Sequence, residues 1–163
     1  MITDIQRVER IVFPGIFIDV LMNGVSDQKG DGFTHSMKLL HATVNECLAD
    51  LDAKGRAKII RRCERIHVEL LGHFVKEEAS ALKVGLAAYY ALRYVTDCDY
   101  LVLPDGCPMS EAMDLVLPAI APAVEIAKMD KSARKAGRKM LEKLQANGYF
   151  VDVPIDAQMN EAA

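Results

Sequence analysis

Three residues near the middle of the chain have the types and the spacing to hold a metal ion: His41, Glu64 and His67. Glu64 and His67 form an E-x-x-H spacing, which sets a carboxylate and an imidazole on neighbouring positions of one helix face. His41 joins them if its own helix folds back antiparallel on theirs. A tight turn near Lys54-Gly55 would pair residues whose numbers add to about 109, so that Leu40 meets Leu70, Val44 meets Ile66 and Cys47 meets Cys63. His41 and His67 then share a level. Each lies one position past an apolar residue, so both fall on the same edge of the hairpin, with Asn45 and Glu64 next along it. Two histidines and a carboxylate with open coordination positions suit Fe(II) or Zn(II), with Asn45 behind the ligands. A pair of half-buried histidines bonded to Glu64 and Asn45 accounts for the same pattern with no metal at all. Dinuclear carboxylate bundles use two E-x-x-H motifs, and this chain has one.

The remaining candidates for chemistry are weaker. Cys63 has His67 one turn away, as a nucleophile needs a base, but it sits in the centre of an apolar stripe and reads as a small core residue. The loop from Asp27 resembles a calcium loop only at Asp31-Gly32; Lys29 and Lys38 stand where oxygen ligands are required. Asp97, Asp99 and Asp105 lack a binding register and read as solvated loop acids. The cysteines Cys47, Cys63, Cys98 and Cys107 form no C-x-x-C pair, and a chain of 163 residues with this much Leu, Ile and Val has no need of disulfides. Reduced thiols point to a cytoplasmic compartment. No glycine-rich phosphate loop, nucleophile elbow or H-E-x-x-H is present, so no catalytic residue is assigned.

Charge is distributed unevenly. Lys54–Arg65 holds six basic residues and one acid; Lys128–Lys143 holds seven against two. Each stretch is therefore +5 in a chain whose total is −3, which leaves the rest strongly acidic. Lys128, Lys131, Lys135 and Lys139 form a stripe at helical spacing opposite the small seam Ala133, Ala136, Met140 and Leu144. Such a face could hold the phosphates of a polyanion or nucleic acid, or be an ordinary solvated surface. No aromatic residue interleaves with it, and no nucleic-acid-binding signature accompanies it.

The elements that must position these residues are helical throughout. Helix 1 is expected from about Asp4 to Met22 behind Thr3, with Pro14-Gly15 kinking or splitting it. Helix 2 is expected after Thr34 to about Asp52, helix 3 from near Arg56, and helix 4 from about Glu77 to Thr96. Helix 5 would be capped by Ser110 and interrupted at Pro118 and Pro122; helix 6 would be capped by Asp130 and end at Asn147-Gly148. The expected fold is all-α: one domain over 1–150, an irregular bundle of about six helices with a helix 2/helix 3 antiparallel hairpin, then an extended or frayed tail over 151–163. The longest apolar stretch, Ile11–Met22, is too short to cross a membrane and is followed by no cleavage-site pattern, so no membrane partner is expected. Ile11, Phe13, Phe17, Ile18 and Leu21 make helix 1 apolar on more than one stripe. Such a helix is either central to its own bundle or shared with a second copy, and a homodimer through helix 1 is the expected assembly. The functional expectation is a non-catalytic binding, regulatory or assembly protein. The alternatives are a metal-binding bundle on His41, Glu64 and His67, which would leave room for enzymatic activity, and a polyanion binder on helix 6.

Overall fold

The computed structural model describes residues 3–23, 31–76 and 103–151. Over these the chain is helical: α1 (Asp4–Asn23), α2 (Asp31–Cys47), α3 (Ala53–Lys76), α4 (Pro108–Met129) and α5 (Lys131–Ala146). The all-α expectation holds among the described residues; the predicted helix 4 and the tail from 152 onward lie outside them.

α1 is the central element. It packs against α2, α3 and α4, and every side chain from Ile11 to Val20 is buried. Its apolar surface, which at the level of sequence fitted a partner equally well, is covered by the chain's own helices. That enclosure also explains why Pro14 does not split it. A proline inside a helix costs about 3 kcal/mol, a penalty that packing on three sides can exceed, and α1 runs unbroken through it. Gly15 marks the closest approach. A Cβ there would lie 3.0 Å from Ser36 Oγ of α2, 3.3 Å from Met109 Cε of α4 and 3.4 Å from His67 Cε1 of α3. Ser36 Oγ donates to the Gly15 carbonyl at 3.1 Å, so α1 and α2 are bonded at the point where a side chain would hold them apart.

Several boundaries differ from expectation for local reasons. α3 starts at Ala53, with Gly55 inside its first turn. Asp52 organises this start: its Oδ1 accepts from Gly55 N at 2.7 Å and its carbonyl accepts from Arg56 N at 3.0 Å. Arg56 then reaches back, its Nη1 donating to the Leu51 and Ala49 carbonyls, and fixes the turn after α2. α4 begins before Ser110, because the residue that caps it is Cys107: its Sγ accepts from Ser110 N at 3.4 Å and its carbonyl from Glu111 N at 3.0 Å. α4 continues through Pro118 and Pro122. Asp130 caps α5 as expected, accepting from Ser132 N and Ala133 N at 2.7 and 3.1 Å.

The chain does not fray directly after α5. Gly148 takes a positive φ of 89° and Phe150 one of 52°, which turns Phe150 onto α1. Its ring meets Phe13 edge-on at 4.8 Å, and its N–H donates to Glu9 Oε1 at 3.3 Å. Gln145 Nε2 donates to the Phe150 carbonyl at 3.1 Å, so the turn is bonded to both α5 and α1.

Candidate anion-binding face

The three candidate metal ligands divide between two places. His41 and Glu64 are brought together: Nε2 of one lies 2.5 Å from Oε1 of the other, linking α2 to α3. Both side chains remain about 40% exposed. His67 goes elsewhere. It is fully buried and turned to α1, where its Nε2 lies 2.6 Å from Asp19 Oδ2. The level shared by His41 is therefore that of Glu64, about one turn away from the level expected from a tight turn at Lys54-Gly55. Residues 48–52 separate α2 from α3, and a turn placed earlier in the chain than Lys54-Gly55 accounts for the offset. Asn45 is exposed. Among the described residues no group of three or more His, Cys, Asp or Glu side chains converges as a metal would require.

Asp19 is the partner that sequence reasoning missed. An acid in the middle of an otherwise buried helix must find a cation or a donor, because an uncompensated buried carboxylate is very costly. That signal was available in the stretch IVFPGIFIDVLM. Glu9, also buried on α1, solves the same problem by accepting from Phe150 N. Thr43 Oγ1 accepts from Met109 N at 3.1 Å and joins α2 to α4. These buried polar groups bind helix to helix.

Neither thiol candidate gains a catalytic setting. Cys63 has no exposed surface, and burial pushes its thiol up to about 12, so it stays protonated and unreactive at neutral pH. Its neighbour one turn on, His67, is engaged by Asp19. Cys47 is half-buried beside Cys107, and its thiol is raised by burial and then by that neighbour.

The outer face of α3 is different. Lys58, Arg61, Arg62 and Arg65 lie at i, i+3, i+4 and i+7, the spacing of one helical stripe. With Ile59 they line a cleft of about 330 Å³, and no acidic residue is among its described lining residues. A second cleft of about 330 Å³ shares Arg62 and Arg65 and continues past Ile66 and Glu69 to Asn147, Gly148 and Tyr149, beyond the end of α5. Glu69 is the one acid among its described lining residues and is hydrogen-bonded to Tyr149; burial and that bond both raise the tyrosine. Sequence reasoning registers these cations as part of a basic stretch and misses their common stripe, although spacing alone makes it legible.

The helix 6 stripe lies on α5. Lys131, Lys135 and Lys139 are exposed there, while Lys128, which belongs to the end of α4, has a side chain outside the described set. The opposite seam packs inward through Ala133, Gly137, Met140, Leu141 and Leu144. Arg138 Nε approaches Glu142 Oε1 at 3.7 Å, a surface pair of small energetic weight. No helix among the described residues is long and apolar enough to cross a membrane. Compared with protein-family models, with curated proteins and with solved structures, the chain gives no match.

Proposed function

We propose that this protein is a non-catalytic binding protein whose α3 face engages a phosphate-bearing polyanion. The observation that carries this reading is the cleft lined by Lys58, Arg61, Arg62 and Arg65, with no carboxylate among its described lining residues. Acids elsewhere in the chain keep the net charge at −3, so the positive potential is confined to the basic stretches, this face among them. Lys58 and Arg61, and again Arg62 and Arg65, are three residues apart, or ~4.5 Å along the axis, which suits successive phosphates along a strand. The arginines contribute planar, forked donors matched to phosphate oxygens. The exposed lysines of α5 would extend the positive surface without forming the primary contact.

The test is fluorescence anisotropy of a labelled single-stranded oligonucleotide, titrated at several salt concentrations. Binding should weaken linearly in log–log form as salt rises. The combined Arg61→Ala, Arg62→Ala and Arg65→Ala variant should lower the slope by about one for each phosphate that is no longer neutralised. If affinity instead follows Lys131, Lys135 and Lys139, the binding face is α5. No measurable binding to oligonucleotide or heparin at low salt would remove the reading.

A divalent metal remains the alternative for His41 and Glu64. It would require a third ligand in addition to these two.

A further inference from the structure

Two of the chain's thiols meet although nothing in their spacing pairs them. Cys47 ends α2 and Cys107 immediately precedes α4, yet the two side chains share a hydrogen bond. Backbone contacts hold both in place. Thr43 stands one turn before Cys47 on the same face of α2, and its Oγ1 accepts from Met109 N at 3.1 Å. That bond fixes the start of α4 against the end of α2, two residues beyond Cys107. Cys107 is itself pinned at three atoms. Its N–H donates to the Pro104 carbonyl at 3.2 Å, across a turn in which Gly106 takes a φ of 78°. Its carbonyl accepts from Glu111 N at 3.0 Å, and its Sγ accepts from Ser110 N at 3.4 Å. Pro108 follows at the first helical position, where its missing N–H costs nothing. Both sulfurs are free thiols.

Their surroundings differ. Cys107 is 3% exposed, whereas Cys47 is only half-buried, so an oxidant arriving from solution meets Cys47 first. Burial, and then the neighbouring Cys107, keep the proton on Cys47, and the dithiol is therefore reduced at rest. We infer that Cys47 and Cys107 form a redox site at which a hydroperoxide is reduced and the two sulfurs close to an intramolecular disulfide between the end of α2 and the start of α4.

The chemistry balances in two steps. Cys47 Sγ attacks one oxygen of the hydroperoxide and the O–O bond breaks. The other oxygen leaves with the Cys47 proton as water or an alcohol, and Cys47 becomes a sulfenic acid. Cys107 Sγ, already in contact, then attacks Cys47 Sγ. The S–S bond forms, the S–O bond breaks, and the hydroxyl departs with the Cys107 proton as water. The two sulfurs together give up two electrons, which the peroxide takes. As Cys107 loses its proton, the Ser110 amide and the N-terminal end of α4 face the charge that develops. A reducing dithiol reverses the process by exchange. The crosslink ties α2 to α4 around the intervening α3, which restricts the unfolded chain and should stabilise the fold.

The experiment is treatment of the folded chain with hydrogen peroxide, quenching with N-ethylmaleimide, and peptide mapping by mass spectrometry. Cys98 and Cys107 fall in one tryptic peptide, so the map is made on Cys98→Ser beside the natural chain. The expected result is loss of the Cys47 and Cys107 thiols together, a peptide crosslinked through them, and a urea midpoint that rises on oxidation and returns with dithiothreitol. Cys107→Ser should abolish the crosslink and leave a sulfenic acid on Cys47 that dimedone traps. Cys47→Ser should abolish the crosslink and leave Cys107 reduced. Oxidation of Cys47 to a sulfinic acid with no crosslink overturns the inference. So does a disulfide from Cys47 to a second chain, or a Cys47–Cys107 bond that forms no faster in the folded protein than in urea.

Discussion

His67 of α3 and Asp19 of α1 face each other across the centre of the bundle at 2.6 Å, with 0% and 4% of their side chains exposed. The contact sits one turn of α1 from Gly15, where α2, α3 and α4 converge. Removing either residue takes from the other its partner at the buried centre of the bundle. His67→Ala or Asp19→Ala should each cost about 3–5 kcal/mol of stability. Asp19→Leu combined with His67→Leu should cost less than the two single alanine variants taken together, because it leaves neither group stranded. Urea denaturation of the set measures both; equal, additive losses would show that the pair is not coupled.

Gly15→Ala should destabilise the bundle by about 1–3 kcal/mol, the usual cost of inserting a methyl group into a packed site. The reason is the 3.0 Å approach to Ser36 Oγ together with the contacts to Met109 and His67. Ser36→Ala in the same background removes the nearest atom and should recover part of the loss in thermal unfolding. A helix-propensity effect alone would make Gly15→Ala stabilising.

The Cys63 thiol gives a pH dependence with a definite sign. Its folded value is about 12 against 9.0 for an exposed thiol, with burial as the main cause. Below pH 9 both folded and unfolded thiols keep the proton and stability is unaffected by this group. Between about 9 and 12 the unfolded chain loses the proton that the folded chain retains, so stability falls as pH rises. Cys63→Ala should flatten that decline, although the lost side chain lowers stability at every pH. In the folded state at pH 8, Cys63 should react with a thiol reagent far more slowly than it does after denaturation.

His41 and Glu64 form a pair at 2.5 Å with both side chains largely in water. Half-exposed pairs of this kind contribute up to about 1 kcal/mol, so His41→Ala should be mild where His67→Ala is severe. Elemental analysis of protein prepared without chelator should show no stoichiometric iron or zinc, since two side chains are too few to retain either. Retained metal that disappears in His41→Ala would establish a centre there.

The helical character of α2, α3 and α5 was legible because their apolar residues recur at three and four positions and their polar residues take the other face. Asp130 was legible as a cap for the same reason that it works as one: its carboxylate reaches two amides that have no partner inside the helix. Helix 1 was harder. A helix apolar all round carries no direction, so the sequence could not distinguish burial inside the chain from burial against a copy. The candidate metal set failed to assemble because two histidines at one expected level need not face one neighbour; a third helix supplied Asp19, which pairing α2 with α3 alone leaves out. The basic stripe of α3 required only helical spacing. The clefts it lines required the turn after α5 to lie beside Arg62 and Arg65.

Phe150 closes on Phe13 and Glu9, which stand more than a hundred and thirty residues before it. A chain synthesised from its N-terminus makes α1 well before the aromatic group that packs on Phe13. Until Phe150 is made, Phe13 lacks that covering ring, although α2, α3 and α4, which pack on the same helix, are already in place. This contact has a long sequence separation, and contacts of that kind slow folding relative to local helix formation. A chain cut before Phe150 should bind a hydrophobic dye more strongly than one that includes it, because Phe13 then loses its edge-on partner.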